Sequence, residues 1–160
     1  MIIETLGLVR HPEGGWYAET YRNAEMVQVL PDRYHGPRSL GTAIYFLLEG
    51  DDFSAMHRLA SDEVYHFYLG DPVEMLLLHP DGRGEMVILG PGLDQGEHPQ
   101  AIVPAGVWQG FCLREGGRFA LLGTTVAPGF DFADFELGRR EELTRTHRAW
   151  SEHIGRLTRT

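Results

Sequence analysis

Three features of the chain predict an all-β fold. Short runs rich in aromatic and β-branched residues recur at close spacing, turn-forming residues fill nearly every gap between them, and stretches compatible with a helix occur only at the two ends. Closely spaced strands without intervening helices point to a sandwich or barrel rather than to an alternating α/β sheet.

Taken in order, Ile2 to Val9 fits one or two helical turns, stopped by Pro12 and the Gly14-Gly15 pair. Strands are expected over Trp16–Arg22, Gly41–Leu48, Phe53–Leu59, Glu63–Leu69 and Val73–His79, and then over Met86–Leu89, Ala101–Pro104, Trp108–Leu113 and Arg118–Val126. His79-Pro80-Asp81-Gly82 should close a hairpin, because proline fixes φ, aspartate bonds its own backbone and glycine accepts positive φ. Pro31 to Ser39 is expected to be a surface loop. Glu141 to Leu157, with apolar residues at Leu143, Ala149, Trp150, Ile154 and Leu157, is expected to form a C-terminal helix. No linker divides the chain, so residues 1–160 are read as a single domain of the size that supports one core.

Composition excludes several classes of function. A net charge of −9 without a basic run disfavours nucleic acid. All 14 basic residues are arginines, so no lysine can form a Schiff base. Cys112 is the only cysteine, which rules out an internal disulfide and reads as a buried strand thiol. No run approaches the length of a membrane span and no export signal opens the chain; a cytoplasmic protein without membrane partners is expected.

The chemistry centres on two neighbouring strands. Alternation puts Phe53, Ala55, His57 and Leu59 on one face, and Glu63, Tyr65, Phe67 and Leu69 on one face of the next strand. Both faces are mainly apolar, so both should point inward, bringing an imidazole and a carboxyl group into the interior together. Such burial is costly unless the groups are paired or ligated. Mutual satisfaction in the core is the plain reading; a small-molecule site is the functional one.

These residues also carry a resemblance. Gly50, His57, Glu63 and Gly70 follow the first motif of the cupin superfamily with one extra residue after the glycine, and Pro104-Ala-Gly106-Val-Trp108-Gln109 follows the second. The chain resembles more specifically the cupin group called Cupin_5, through His11-Pro-Glu-Gly-Gly-Trp-Tyr17, Glu19-Thr-Tyr-Arg22, Asp62-Glu63-Val-Tyr-His66-Phe-Tyr-Leu-Gly70, Val103 to Gln109, Thr125 to Phe130 and Asp134 to Leu137. The resemblance implies a cupin jelly roll, or double-stranded β-helix, paired as a homodimer. It does not imply one activity, because folds host many functions. The metal-binding pattern of three imidazoles and a carboxylate is degenerate here: Leu59 and Gln109 stand at two histidine positions, leaving His57, Glu63 and Gln109 as the ligands if a weakly bound divalent metal is present.

No cofactor is therefore expected, and the preferred reading is proton transfer by side chains, as in an isomerase or epimerase acting on a sugar or other polar carbonyl compound. His57, Glu63 and Tyr65 are the candidate catalytic groups, with Glu63 setting the tautomer of His57. Gln109, Trp108, Tyr45, Glu19, Arg22 and His66 are candidate ligand contacts, although alternation sets His66 opposite Glu63, toward the surface or a subunit interface. A metal-dependent cupin enzyme and a non-catalytic binding or storage module stay open as alternatives. His11, His35, His79, His98, His147 and His153 are expected to be solvated, and Asp131, Asp134 and Glu136 to lie in an exposed loop.

Overall fold

A computed structural model of the chain describes residues 1–159. The strands are β1 (Val9–Arg10), β2 (Trp16–Arg22), β3 (Met26–Val27), β4 (Arg38–Ser39), β5 (Thr42–Glu49), β6 (Phe53–Arg58), β7 (Asp62–Gly70), β8 (Val73–Leu78), β9 (Gly84–Leu89), β10 (Gln100–Val103), β11 (Trp108–Leu113), β12 (Phe119–Ala127) and β13 (Glu136–Leu137). They form one sheet ordered β1-β2-β5-β12-β7-β10, a second ordered β13-β6-β11-β8-β9, and a β3-β4 ribbon, with antiparallel pairing between the strands. The double-sheet jelly roll expected from the sequence is present. The nine long runs are all strands, and the four additional strands are two-residue pairs too short to show alternation.

The sheets face each other across an apolar core that includes Phe46, Leu48, Val73, Met75, Phe111 and Leu122. Their outer faces are covered differently. Helix α1 (Ile2–Leu6) and Trp16 pack over Leu47 and Leu121, outside the first sheet. Helices α2 (Arg140–Thr146) and α3 (Ser151–Arg156) bury Met56, Leu76, Leu78, Leu143, Ile154 and Leu157 outside the second. The expected single C-terminal helix is thus two short ones, separated by a 3-10 turn over Arg148–Trp150. Its imperfect apolar spacing reflects a break in direction at His147, whose imidazole is buried and bonds the His79 carbonyl at 2.8 Å rather than facing solvent. The expected loop before Ser39 is partly structured too, since Arg38 and Ser39 pair with β3 and are buried.

Three register shifts interrupt the pairing, one of them in β2 between Glu19 and Tyr21, and the other two overturn strict alternation on the strands that carry Glu63 and His57. On β7, Leu121 pairs with Leu69 but Leu122 with Phe67, so Tyr68 is the extra residue and Leu69 turns outward, 57% exposed. On β6, Ser54 faces Phe111 and His57 faces Gln109, leaving Ala55 and Met56 opposite the single residue Gly110. Phe53 therefore packs outward beneath the C-terminal helices, while Ser54 and His57 both face in. Gly110 is required at this bulge: a Cβ there would lie 2.6 Å from Met56 Sδ and 3.1 Å from the Met56 backbone nitrogen.

Candidate functional site

A cavity of about 510 Å³ opens at one end between the sheets. The bulge in β6 builds its floor. The Ala55 N–H donates to the Glu13 carbonyl at 2.8 Å, and the Ala55 carbonyl accepts from His57 Nδ1 at 2.8 Å. A carbonyl can only accept, so the His57 proton sits on Nδ1 and Nε2 carries a lone pair. That lone pair faces Glu13 Oε2 at 3.2 Å. The other Glu13 oxygen accepts from the hydroxyl of Ser54 at 2.6 Å.

Glu13 arrives on the turn His11-Pro12-Glu13-Gly14-Gly15, which is pressed against β5 and β6. Gly14 and Gly15 both have positive φ, and a Cβ on Gly15 would lie 2.7 Å from the Phe46 ring. The Glu13 N–H donates to His11 Nδ1 at 3.2 Å, which leaves the His11 proton on Nε2. Burial, reinforced by His57, lowers the His11 pKa to about 4, so its ring is neutral. His11 is a cavity wall with its side chain 6% exposed, contrary to the expectation of a solvated turn histidine.

Glu63 and Tyr65 enter from β7 as expected, both buried and both lining the cavity. Glu63 Oε2 accepts from Gln109 Nε2 at 2.9 Å, and Thr124 lies beside the same carboxyl group. Burial raises the pKa of Glu63, opposed by His57. Burial raises that of Glu13 to about 8, opposed only in part by Ser54, so Glu13 holds a proton at neutral pH. Tyr65 is driven well above its ordinary value by burial and by the two carboxyl groups, and remains a neutral donor. His57 is lowered, chiefly by burial, against the pull of Glu63. The expected His57–Glu63 pair is thus electrostatic, whereas the carboxyl group in reach of the imidazole belongs to Glu13. Glu13 escaped the sequence reading because its partner is set by a turn and a bulge, neither of which shows in alternation.

Two further elements form the rim. From β2, Arg22 holds Glu19 with two arms at 2.9 and 2.8 Å and the Phe130 carbonyl at 3.0 Å, and both residues line the cavity. The segment after β12 contributes Phe130, Asp131, Phe132 and Phe135. The Phe135 ring stacks on His57 with centroids 5.3 Å apart. This segment is fastened by Arg38, whose Nε and Nη2 donate to the two oxygens of Asp134 at 2.8 Å, each side chain only 4% exposed. Asp134 is therefore a buried ion-pair partner, not part of a solvated acidic run.

Four predicted contacts lie elsewhere. Tyr45 points to the outer face of its sheet, with its ring 6.1 Å from Tyr68. Trp108 packs toward the C-terminal helices under the guanidinium of Arg58. His66 lies on the outer face, bonded to Thr125 at 2.9 Å and Gln100 at 3.2 Å. Gln109 is buried behind Glu63 rather than in the cavity wall, with its Oε1 unpartnered.

The donor set does not fit the metal of a metal-binding cupin. Leu59 offers no donor atom, Gln109 turns its N–H to Glu63, and both His57 nitrogens face protein oxygens. Among the described residues, no three His, Cys, Asp or Glu side chains converge as a metal site. None of the described helices is long and apolar enough to cross a membrane.

Comparison with known proteins agrees with this architecture. Over 99% of its length the chain is similar to protein SO0799 of Shewanella oneidensis, with 35% identity, a TM-score of 0.87 and 95% of that chain covered. A hypothetical protein from Leishmania major matches at 30% identity and a TM-score of 0.89, covering 99% of this chain and 97% of that one. The Saccharomyces cerevisiae protein YML079W, described as uncharacterized, is 28% identical over an alignment of 151 positions that covers 88% of this chain and 75% of that protein. The family profile Cupin_5, "Cupin superfamily (DUF985)", matches residues 1–138, and the chain accordingly belongs to this cupin family.

Proposed function

We propose that the protein is an enzyme of general acid–base type that removes and returns a proton next to the carbonyl group of a small polar compound, as an isomerase or epimerase does. The observation that carries this reading is the contact of 3.2 Å between Glu13 Oε2 and His57 Nε2 in a cavity, with the imidazole tautomer held by Ala55. In its deprotonated form the Glu13–His57 pair takes a proton from the carbon beside the carbonyl. The electron pair moves to the carbonyl oxygen, where the neutral Tyr65 hydroxyl donates a hydrogen bond. Return of the proton to the other face of the same carbon gives an epimer; in a hydroxy-carbonyl compound, its delivery to the former carbonyl carbon, with a hydroxyl proton passing from the neighbouring oxygen to the former carbonyl oxygen, gives an isomer. General acid–base groups of this kind contribute roughly 10²–10⁴-fold each.

The test is deuterium wash-in. A panel of aldoses, ketoses and other hydroxy- or amino-carbonyl compounds is incubated with the protein in deuterium oxide and read by proton NMR. Exchange at the carbon beside the carbonyl is expected for at least one compound, rising with pH toward about 8 as Glu13 ionises and lost in His57→Ala and Glu13→Gln. No exchange above buffer across the panel, or equal exchange by both variants, would overturn the reading.

A further inference from the structure

We infer that the cavity selects its substrate by charge, accepting a compact molecule that carries a protonated nitrogen and rejecting anions. This inference rests on the acid–base reading above and names the substrate class of that same site. Glu13 and Glu63 lie at the cavity floor, and Glu19, Arg22 and Asp131 at its rim. Arg22 is the one arginine in the wall among the described residues. Its Nε and Nη2 donate to the Glu19 carboxylate and Nη2 also donates to the Phe130 carbonyl, so its charge already has a carboxylate partner. The two histidines of the wall, His11 and His57, are both shifted toward the neutral form. Above about pH 8, where Glu13 is ionised, a carboxylate or phosphate entering the cavity would pass Glu19 and Asp131 at the rim, meet the Glu13 carboxylate at the floor and find no cation without a carboxylate partner; at the floor little water remains to screen the repulsion.

A cation meets the reverse. Phe46 and Tyr17 line the cavity, with Phe132 and Phe135 on the segment that forms its rim, and aromatic faces attract an ammonium group. Burial raises the pKa of both floor carboxyl groups, that of Glu13 to about 8, so a buried positive charge on the ligand can replace the Glu13 proton and leave a paired carboxylate. Binding of an ammonium group should therefore release a proton and strengthen as pH rises, whereas binding of a neutral molecule should do neither.

Three probes of one shape separate these cases: cyclohexylamine, cyclohexanol and cyclohexanecarboxylate. An aliphatic amine, like a lysine side chain, stays largely protonated to about pH 9. Binding is read by ligand-observed NMR and by calorimetry in buffers of different ionisation enthalpy. The amine is expected to bind about tenfold more tightly than the alcohol at about pH 8.5, to release protons, and to lose most of that advantage in Glu13→Gln and Glu63→Gln. The carboxylate is expected not to bind detectably. Equal binding of amine and alcohol, or measurable binding of the carboxylate, would overturn the charge selection. Retained deuterium exchange in the wild type would then show that the acid–base reading survives without it. Failure of exchange together with amine-selective binding would instead remove the catalytic reading and leave the charge selection standing.

Discussion

The floor and the rim of the cavity are built by opposite means. On the floor, His57, Glu63 and Tyr65 stand on paired strands and are 2–6% exposed. On the rim, Phe132 belongs to a 3-10 turn and is 49% exposed, and the segment around it is tied down by one buried ion pair and a few backbone contacts. The floor shares the rigidity of the sheets, whereas the rim is only as firm as its fastenings. The proposed acid–base groups and the outer wall of the cavity thus belong to parts of different stiffness.

Breaking the rim fastening tests this contrast most severely. Asp134→Ala leaves the Arg38 guanidinium buried without its partner and should cost about 3–5 kcal/mol of stability. In hydrogen exchange, amides of residues 129–135 should lose protection while those of β6 and β11 keep theirs. Loss of protection in both regions together would show that floor and rim are one unit. Next in size is the bulge beneath the floor: Gly110→Ala should cost about 1–3 kcal/mol by denaturant unfolding, since the added methyl meets Met56.

The floor should also leave a signature in stability against pH. The folded pKa of Glu13, about 8, exceeds its ordinary value of 4.5, so the folded state binds more protons than the unfolded chain between these values and stability falls as pH rises through that window. His11 has the opposite sign: with a folded value of about 4 against 6.5, its contribution is present above 6.5 and is lost as pH falls toward 4. Of these two only Glu13 acts above pH 6.5, where it should lower stability by about 2 kcal/mol between about pH 6.5 and 8, and Glu63, also raised by burial, works in the same direction. Glu13→Gln, whose amide can still donate to His57 and accept from Ser54, should flatten that slope. An unchanged slope would mean that Glu13 ionises normally. The smallest effects are expected outside the cavity, where Tyr45→Phe and His66→Ala should leave binding of cyclohexylamine within a factor of about 2.

How far each region could be read from the sequence follows the same division. The long strands, the inward pair His57 and Glu63 and the outward His66 were legible, because period-two alternation reports directly on which face is buried. The rim residues Glu19 and Arg22 were found, as was Tyr65. Glu13, His11, Phe132 and Phe135 were not, since their positions depend on loop contacts between residues distant in the chain, such as Arg38 with Asp134. Tyr45 and Trp108 were candidate ligand contacts on condition that they reach the cavity, but helices and neighbouring strands cover the outer faces as well, and both side chains are accommodated there. Pairing of two copies remains a proposal. The edge of β2 beyond Tyr17 has no β1 partner, and light scattering at micromolar concentration should give the mass of a dimer.

One inserted residue in β6 fastens the Glu13 main chain with an amide and the His57 ring with the adjoining carbonyl. Joining the Glu13 turn to β6 and setting the Glu13–His57 contact are consequently a single structural event. Fraying confined to the rim would leave that contact in place, whereas separation of β6 from β11 would break it.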